Sequence, residues 1–142
     1  MNKWQLTVTE IALFALLGGL MFASKLAMSS LPNIHLIALF IMAVTTVYRV
    51  KAIAPISVYI LLEGIFFGFT AWWVPYLYIW FILWGAVMLI PKKAGWKARM
   101  FIYPVLGLLH GLLFGTLFSP MQALFFQLNF KQKLAWIAAG CT

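Results

Sequence analysis

The sequence has no aspartate, and Glu10 and Glu63 are its only acidic side chains. Two acids on separate segments are too few for a two-metal site or for an acid and a base within reach of one another. The two histidines, His35 and His110, fall on different predicted helices, without the HExxH spacing of a zinc site, so no metal is expected. GxSxG and GxxxxGK[ST] stretches are also missing, so the chain has neither a hydrolase elbow nor a means of using ATP by itself. It reads as a non-enzyme, and no cofactor is implied. The single cysteine, Cys141, excludes an internal disulfide and says nothing about redox compartment.

Charge is scarce as well. Charged residues make up 8% of the 142 residues and hydrophobic ones 65%, whereas soluble domains carry about a quarter charged residues. The composition is that of an integral membrane protein. Period-2 alternation is absent, which excludes a barrel and leaves helices. In a soluble domain the net charge of +8 would point to nucleic acid. Here its placement along the chain reads as topology, and no nucleic-acid partner is expected.

Apolar windows separated by polar or proline-bearing gaps place membrane helices at about 8–28, 35–48, 52–71, 74–90 and 98–118, with the start of a sixth at about 134–142. The chain reads as one transmembrane domain, a compact all-α bundle of five spans and part of another. The first window is too long for a signal-peptide core and counts as a span. The sixth has too few residues to cross, so it is either a helix cut short or an interfacial end. With the N-terminus in the cytoplasm, Lys3, Arg49, Lys51, Lys92, Lys93, Lys97 and Arg99 fall inside, seven of the ten basic residues. That distribution satisfies the positive-inside rule. The outer gaps, "SSLPNIH", "AWWVPY" and "SPMQALFFQLNFK", hold aromatic rings and amides, the groups a small-molecule site uses.

Several features admit two readings. Ala15, Gly19, Ala23 and Ala27 repeat every fourth residue and form a flat stripe, for packing inside the bundle or for a partner helix. Gly107, Gly111 and Gly115, with Gly64 and Gly68, read as internal packing. Glu63 lies roughly 16 Å into its helix, near mid-membrane, with His110 at similar depth. The two form either a polar pair that holds their helices in register or a ligand contact. Lys25 either snorkels to the surface or meets an anionic ligand group, and His35 caps or lines the outer mouth. In "LEGIFFGFTAWWVPYLYIW", Trp72 and Trp73 fit an interfacial aromatic belt around Pro75. Tyr76, Trp80 and Trp84 continue inward at four-residue spacing, as a lipid-facing stripe, which Leu and Ile would serve more simply, or as the wall of a site for a planar ligand.

The first helix, "ALFALLGGLMFASKLA", the outer loop "SSLPNIHL", and the "LEGIFFGF" and "WWVPYLYIW" stretches give the chain a resemblance to the substrate-binding S components of energy-coupling factor transporters. These proteins import vitamins and other micronutrients across prokaryotic cell membranes. The resemblance implies a six-helix fold and a vitamin-like substrate. It also implies two kinds of partner, a membrane coupling subunit and two ATPases, which would account for the missing nucleotide loop. It makes Ala15, Gly19, Ala23 and Ala27 the docking stripe. An outward pocket would then involve Tyr76, Tyr78, Trp80, Trp84, Gln122, Gln127 and Asn129, together with Glu63, His110, Lys25 and His35. The alternative is a small multipass assembly protein whose stripes only pack against partner helices.

Overall fold

The computed structural model describes residues 5–29, 36–127, 129, 131–132 and 134–135. Among these every regular element is helical: α1 (Val8–Ala27), α2 (Leu36–Tyr48), a 3₁₀ turn (Arg49–Ala52), α3 (Ile53–Phe67), α4 (Val74–Met88) and α5 (Trp96–Phe125). The expected all-α architecture is present. Most of the 134–142 window lies outside the described residues.

Three segments are long and apolar enough to cross a membrane: Val8–Ala27, Leu36–Phe67 and Trp96–Phe125. The chain is a membrane protein by this measure and by its surface, which exposes Leu16, Leu20, Phe101, Leu108 and Leu112. The middle segment is not one rod. Ile37 and Tyr59 line the same small cavity, whereas a continuous helix would hold them about 33 Å apart. The chain therefore folds back between α2 and α3, and the reversal falls at Arg49, which has a φ of 53°. A non-glycine residue in this region costs about 1–2 kcal/mol. Tertiary bonds hold it there: the guanidinium donates to the carbonyls of Met88 at 2.8 Å, Ile90 at 3.1 Å and Val87 at 3.4 Å. These carbonyls lie at and just past the end of α4, where i to i+4 partners run out, and that of Val87 also accepts the Ile90 amide at 3.1 Å. In return, the Trp84 indole donates to the Arg49 carbonyl at 3.1 Å.

α1 starts with a capping box, in which the Thr7 side chain accepts from the Glu10 amide and Glu10 accepts from the Thr7 amide. Beyond this cap the helix buries Phe14, Gly18, Met21 and Phe22, spaced i, i+4, i+7, i+8 along one face. That face rests on α3. A Cβ on Gly18 would lie 2.6 Å from Val58 Cγ1 and 2.9 Å from the Pro55 carbonyl oxygen, so the close approach of α1 to α3 requires glycine at this position. The core between the helices is built from Met21, Phe22, Ile37, Ile41, Val44, Ala52, Ile56, Tyr59, Ile60, Trp80 and Leu83.

Two boundaries differ from the sequence reading. α3 ends at Phe67 rather than near 71, because Gly68 takes a φ of 87° and turns the chain. α5 starts at Trp96 and continues through Pro120 to Phe125, past the expected end near 118. Proline is tolerated inside membrane helices because neighbouring groups satisfy the carbonyls it frees. Gln122 is consequently helical and buried rather than part of an outer loop.

Gly18→Ala should destabilise the fold by about 1–3 kcal/mol through overpacking. Gly19→Ala, one residue on, should be close to neutral, since nothing lies within 4 Å of its added Cβ. Thermal unfolding of both variants in detergent checks the contrast.

Candidate functional site

The direction of each helix determines which side chains meet. Lys51 Nζ lies 2.6 Å from Glu10 Oε1, and Lys25 Nζ lies 2.7 Å from Glu63 Oε2. α1 and α3 therefore run parallel, with one ion pair toward each end. α4 begins beside the Lys25 pair and ends beside Arg49.

Where α1 and α3 end and α4 begins, a cavity of about 240 Å³ is lined by Lys25, Glu63, Phe67, Gly68, Thr70, Trp72, Trp73 and Tyr76. The turn after Gly68 builds its wall. The Thr70 amide donates a hydrogen bond to the Gly68 carbonyl (2.9 Å) and the Trp73 amide to the Thr70 carbonyl (3.0 Å), folding the segment back over the end of α3. The Trp73 indole then donates to the Ile60 carbonyl at 2.8 Å. Gly64 makes room for this, since a Cβ there would lie 2.8 Å from Trp73 Nε1 and would also collide with the Phe69 ring. Phe69 and Trp73 pack edge to face with centroids 4.9 Å apart, a favoured aromatic geometry.

The charged floor is asymmetric. The Glu63 side chain is 3% exposed and the Lys25 side chain 24%. The Lys25 ammonium also sits over the Tyr76 ring, 4.9 Å from its centroid, and the Phe67 ring at 5.4 Å, both within cation–π range. Glu63 Oε1 is buried with no hydrogen-bond partner. The carboxylate is thus held by one lysine, whose ammonium also rests on two rings, and its second oxygen is unpartnered. A smaller cavity of about 10 Å³, lined by Lys25, Ile37, Tyr59, Tyr76, Trp80 and Phe114, lies against the same lysine.

A Glu63–His110 pair is one of the two readings the sequence admits, and the structure pairs Glu63 with Lys25 instead. A lysine on the neighbouring parallel helix supplies a full charge, against which a neutral imidazole is a poor competitor for a buried carboxylate. His110 packs against Trp80 and Phe114, at 5.7 Å and 6.3 Å between centroids, and its Nε2 has no partner. Lys25 neither snorkels freely nor offers an unopposed charge to an anion, because Glu63 already neutralises it.

The three-ring face of α4 is also divided. Tyr76 lines the cavity, and Trp80 stacks against it with planes 1° apart, but Trp80 is buried in the core. Trp84 lies at the opposite end of the bundle, bonded to Arg49. The Tyr78 hydroxyl donates to the Leu117 carbonyl and ties α4 to α5. Gln122 is buried with its Nε2 unpartnered, while Gln127 and Asn129 are exposed. None of these four lines the large cavity. His35 lies outside the described residues. Phe67, Gly68, Thr70, Trp72 and Trp73 are the lining residues that the sequence reading did not place in a site. The one signal for them was the glycine at 68 next to the paired tryptophans, which the interfacial-belt reading absorbed.

The stripe on α1 faces away from the bundle. Ala15, Ala23 and Ala27 are exposed and Gly19 is half-buried, so internal packing uses Gly18 and not the stripe. On α5, a Cβ on Gly107 would make only an ordinary contact, 3.5 Å from Met42 Cε, and nothing lies within 4 Å of a Cβ on Gly111. Close packing that requires glycine is therefore found at Gly64 and not at Gly107 or Gly111, and Gly68 serves to end a helix.

Compared with family models, with curated proteins and with solved structures, the chain matches none.

Removing one partner of the buried pair leaves a charge stranded, at a cost of about 3–5 kcal/mol. Glu63→Leu and Lys25→Met should each lower the unfolding temperature markedly. The double variant should recover much of the loss, as read by thermal unfolding of all four proteins.

Proposed function

We propose that this chain is the substrate-binding subunit of a membrane importer of the energy-coupling factor type. In this reading it captures a small, water-soluble, vitamin-like molecule and hands it to a coupling subunit driven by two ATPases. The observation that carries the reading is the cavity over the Lys25–Glu63 pair, with Phe67, Trp72, Trp73 and Tyr76 around it. A site with mostly apolar aromatic walls and a few fixed polar groups is the usual form of a small-molecule site.

Placing the N-terminus in the cytoplasm supports the same reading. Arg49, Lys51 and the basic segment from Lys92 to Arg99 then lie inside, as the positive-inside rule requires. The cavity opens outward, where a substrate arrives. In this arrangement the chain crosses the prokaryotic cell membrane five times, with α2 and α3 as separate crossings. The exposed Ala15, Gly19, Ala23 and Ala27 stripe becomes the docking surface for the coupling subunit, since small residues let a partner helix approach closely.

Purification followed by mass spectrometry of the extracted small molecules tests the capture. A reproducible compound should accompany the wild-type protein and be lost from Tyr76→Ala, which removes a cavity wall without breaking the ion pair. Gly19→Trp should abolish cellular uptake of that compound while leaving its binding within about threefold, a difference well under 1 kcal/mol. A protein that is always empty, yet co-purifies with other membrane helices through α1, would instead be an assembly protein.

A further inference from the structure

The contacts of Lys25 define a binding site by what already fills it. Its ammonium is held by the Glu63 carboxylate at 2.7 Å and lies over the faces of Tyr76 and Phe67. A carboxylate with aromatic faces around one point is the arrangement that recognises an organic cation. Lys25 and Glu63 also both line an open cavity of about 240 Å³, far larger than the ammonium needs. We infer that the cavity is a cation site and that Lys25 is its tethered, displaceable occupant. The ligand would be an organic cation carrying a flat ring, with the positive group taking the place of the Lys25 ammonium. This inference rests on the proposed capture role and specifies the chemical class of the substrate.

Two observations give the exchange its direction. Glu63 cannot leave, because its side chain is 3% exposed and belongs to the packed face of α3, whereas Lys25 is 24% exposed and sits in the last turn of α1. A lysine near a helix end can extend its stem and carry its charge to water at low cost. Glu63 without Lys25 would be a buried, uncompensated carboxylate, one of whose oxygens already has no partner. A positive group resolves that state without the carboxylate having to take up a proton. A neutral ligand would leave the carboxylate stranded on exchange, and an anionic one would add repulsion. If Lys25 stayed in place, an anion would find a floor whose charge is already neutralised.

An internal competitor lowers apparent affinity by the fraction of time the site is free. Removing Lys25 should therefore tighten cation binding, the opposite of what a lysine that contacts ligand would do.

The test uses three probes with one ring and different charge: benzyltrimethylammonium, benzyl alcohol and benzoate. Each is titrated against the tryptophan fluorescence of the full chain in detergent, with the Lys25→Met/Glu63→Gln double variant as the blank for non-specific partition. Benzyltrimethylammonium should give saturable quenching in the wild type, bind Lys25→Met about tenfold or more tightly, and raise that variant's unfolding temperature. Benzyl alcohol and benzoate should bind about tenfold or more weakly than the cation. Equal binding of either, unchanged or weaker cation binding by Lys25→Met, or no saturable binding of the cation overturns the inference. Should Lys25→Met fail to fold, acylation of Lys25 in the wild type, followed by mass spectrometry, decides it. The cation should speed labelling at least about threefold by pushing the lysine into water, and an unchanged rate overturns the exchange. A co-purifying neutral or anionic metabolite would refute this inference while leaving the capture role standing. Cation binding by a protein that supports no uptake would do the reverse.

Discussion

Both carboxylates of the chain are spent on joining α1 to α3, and the rest of the arrangement depends on that use. α1 carries an acid near its start and a base near its end, while the chain entering and forming α3 carries the base first and the acid later. Side by side and parallel, these patterns match at both ends, Glu10 with Lys51 and Lys25 with Glu63. An antiparallel alignment would set like charge against like. A slip of one turn would break both pairs together, and the Gly18 contact between them fits only one register. In a chain with so few acids this is a specific instruction, of the kind that buried polar groups give best.

The site follows from this register. Because Lys25 is delivered to the level of Glu63, the end of α3 carries a charged pair where a helix of this composition would otherwise be wholly apolar. Gly68 stops α3 just beyond the pair, and the turn that follows brings Trp73 and Tyr76 back over it. The aromatic cluster is thus organised by the ion pair beneath it, and it shields that pair from competition with water, which strengthens the pairing. At the other end of the bundle, Arg49 does the equivalent work for the backbone, closing the end of α4 and fixing the reversal between α2 and α3.

Much of the fold could be read directly. α1, α2 and α4 lie within two residues of the sequence reading, because long apolar runs broken by Pro, Gly and basic residues are unambiguous about helix ends. The end of α5 was not legible, since Pro120 stops a helix in water but not one packed among neighbours. The site was legible only in part. Glu63, Lys25 and Tyr76 stand out in the sequence, but Lys25 and Glu63 are 38 residues apart, and nothing local says that they touch. Trp80 and Trp84 share a spacing with Tyr76, yet a four-residue repeat on a helix shorter than the bilayer runs from the cavity to the far end, so spacing alone cannot separate wall from core. The small-residue repeat marks the outward side of α1, so the inward Gly18, which packs on α3, carries no signal of its own in the sequence.

α5 is attached differently from the other helices. Its 30 residues bury only His110, Ser119, Gln122 and Ala123, and its polar ties to the bundle include a Thr46–Tyr103 hydroxyl bond of 2.7 Å and the Tyr78 bond to Leu117. Both leave the α1–α3 register and the Arg49 cap untouched. Local opening free energies follow the apolar area and bonds lost, so α5 is the cheapest helix to detach, and α1 to α4 form the unit that persists without it. Amide exchange would sort the chain along that seam, and a pull on the C-terminus would remove α5 as a separate first step.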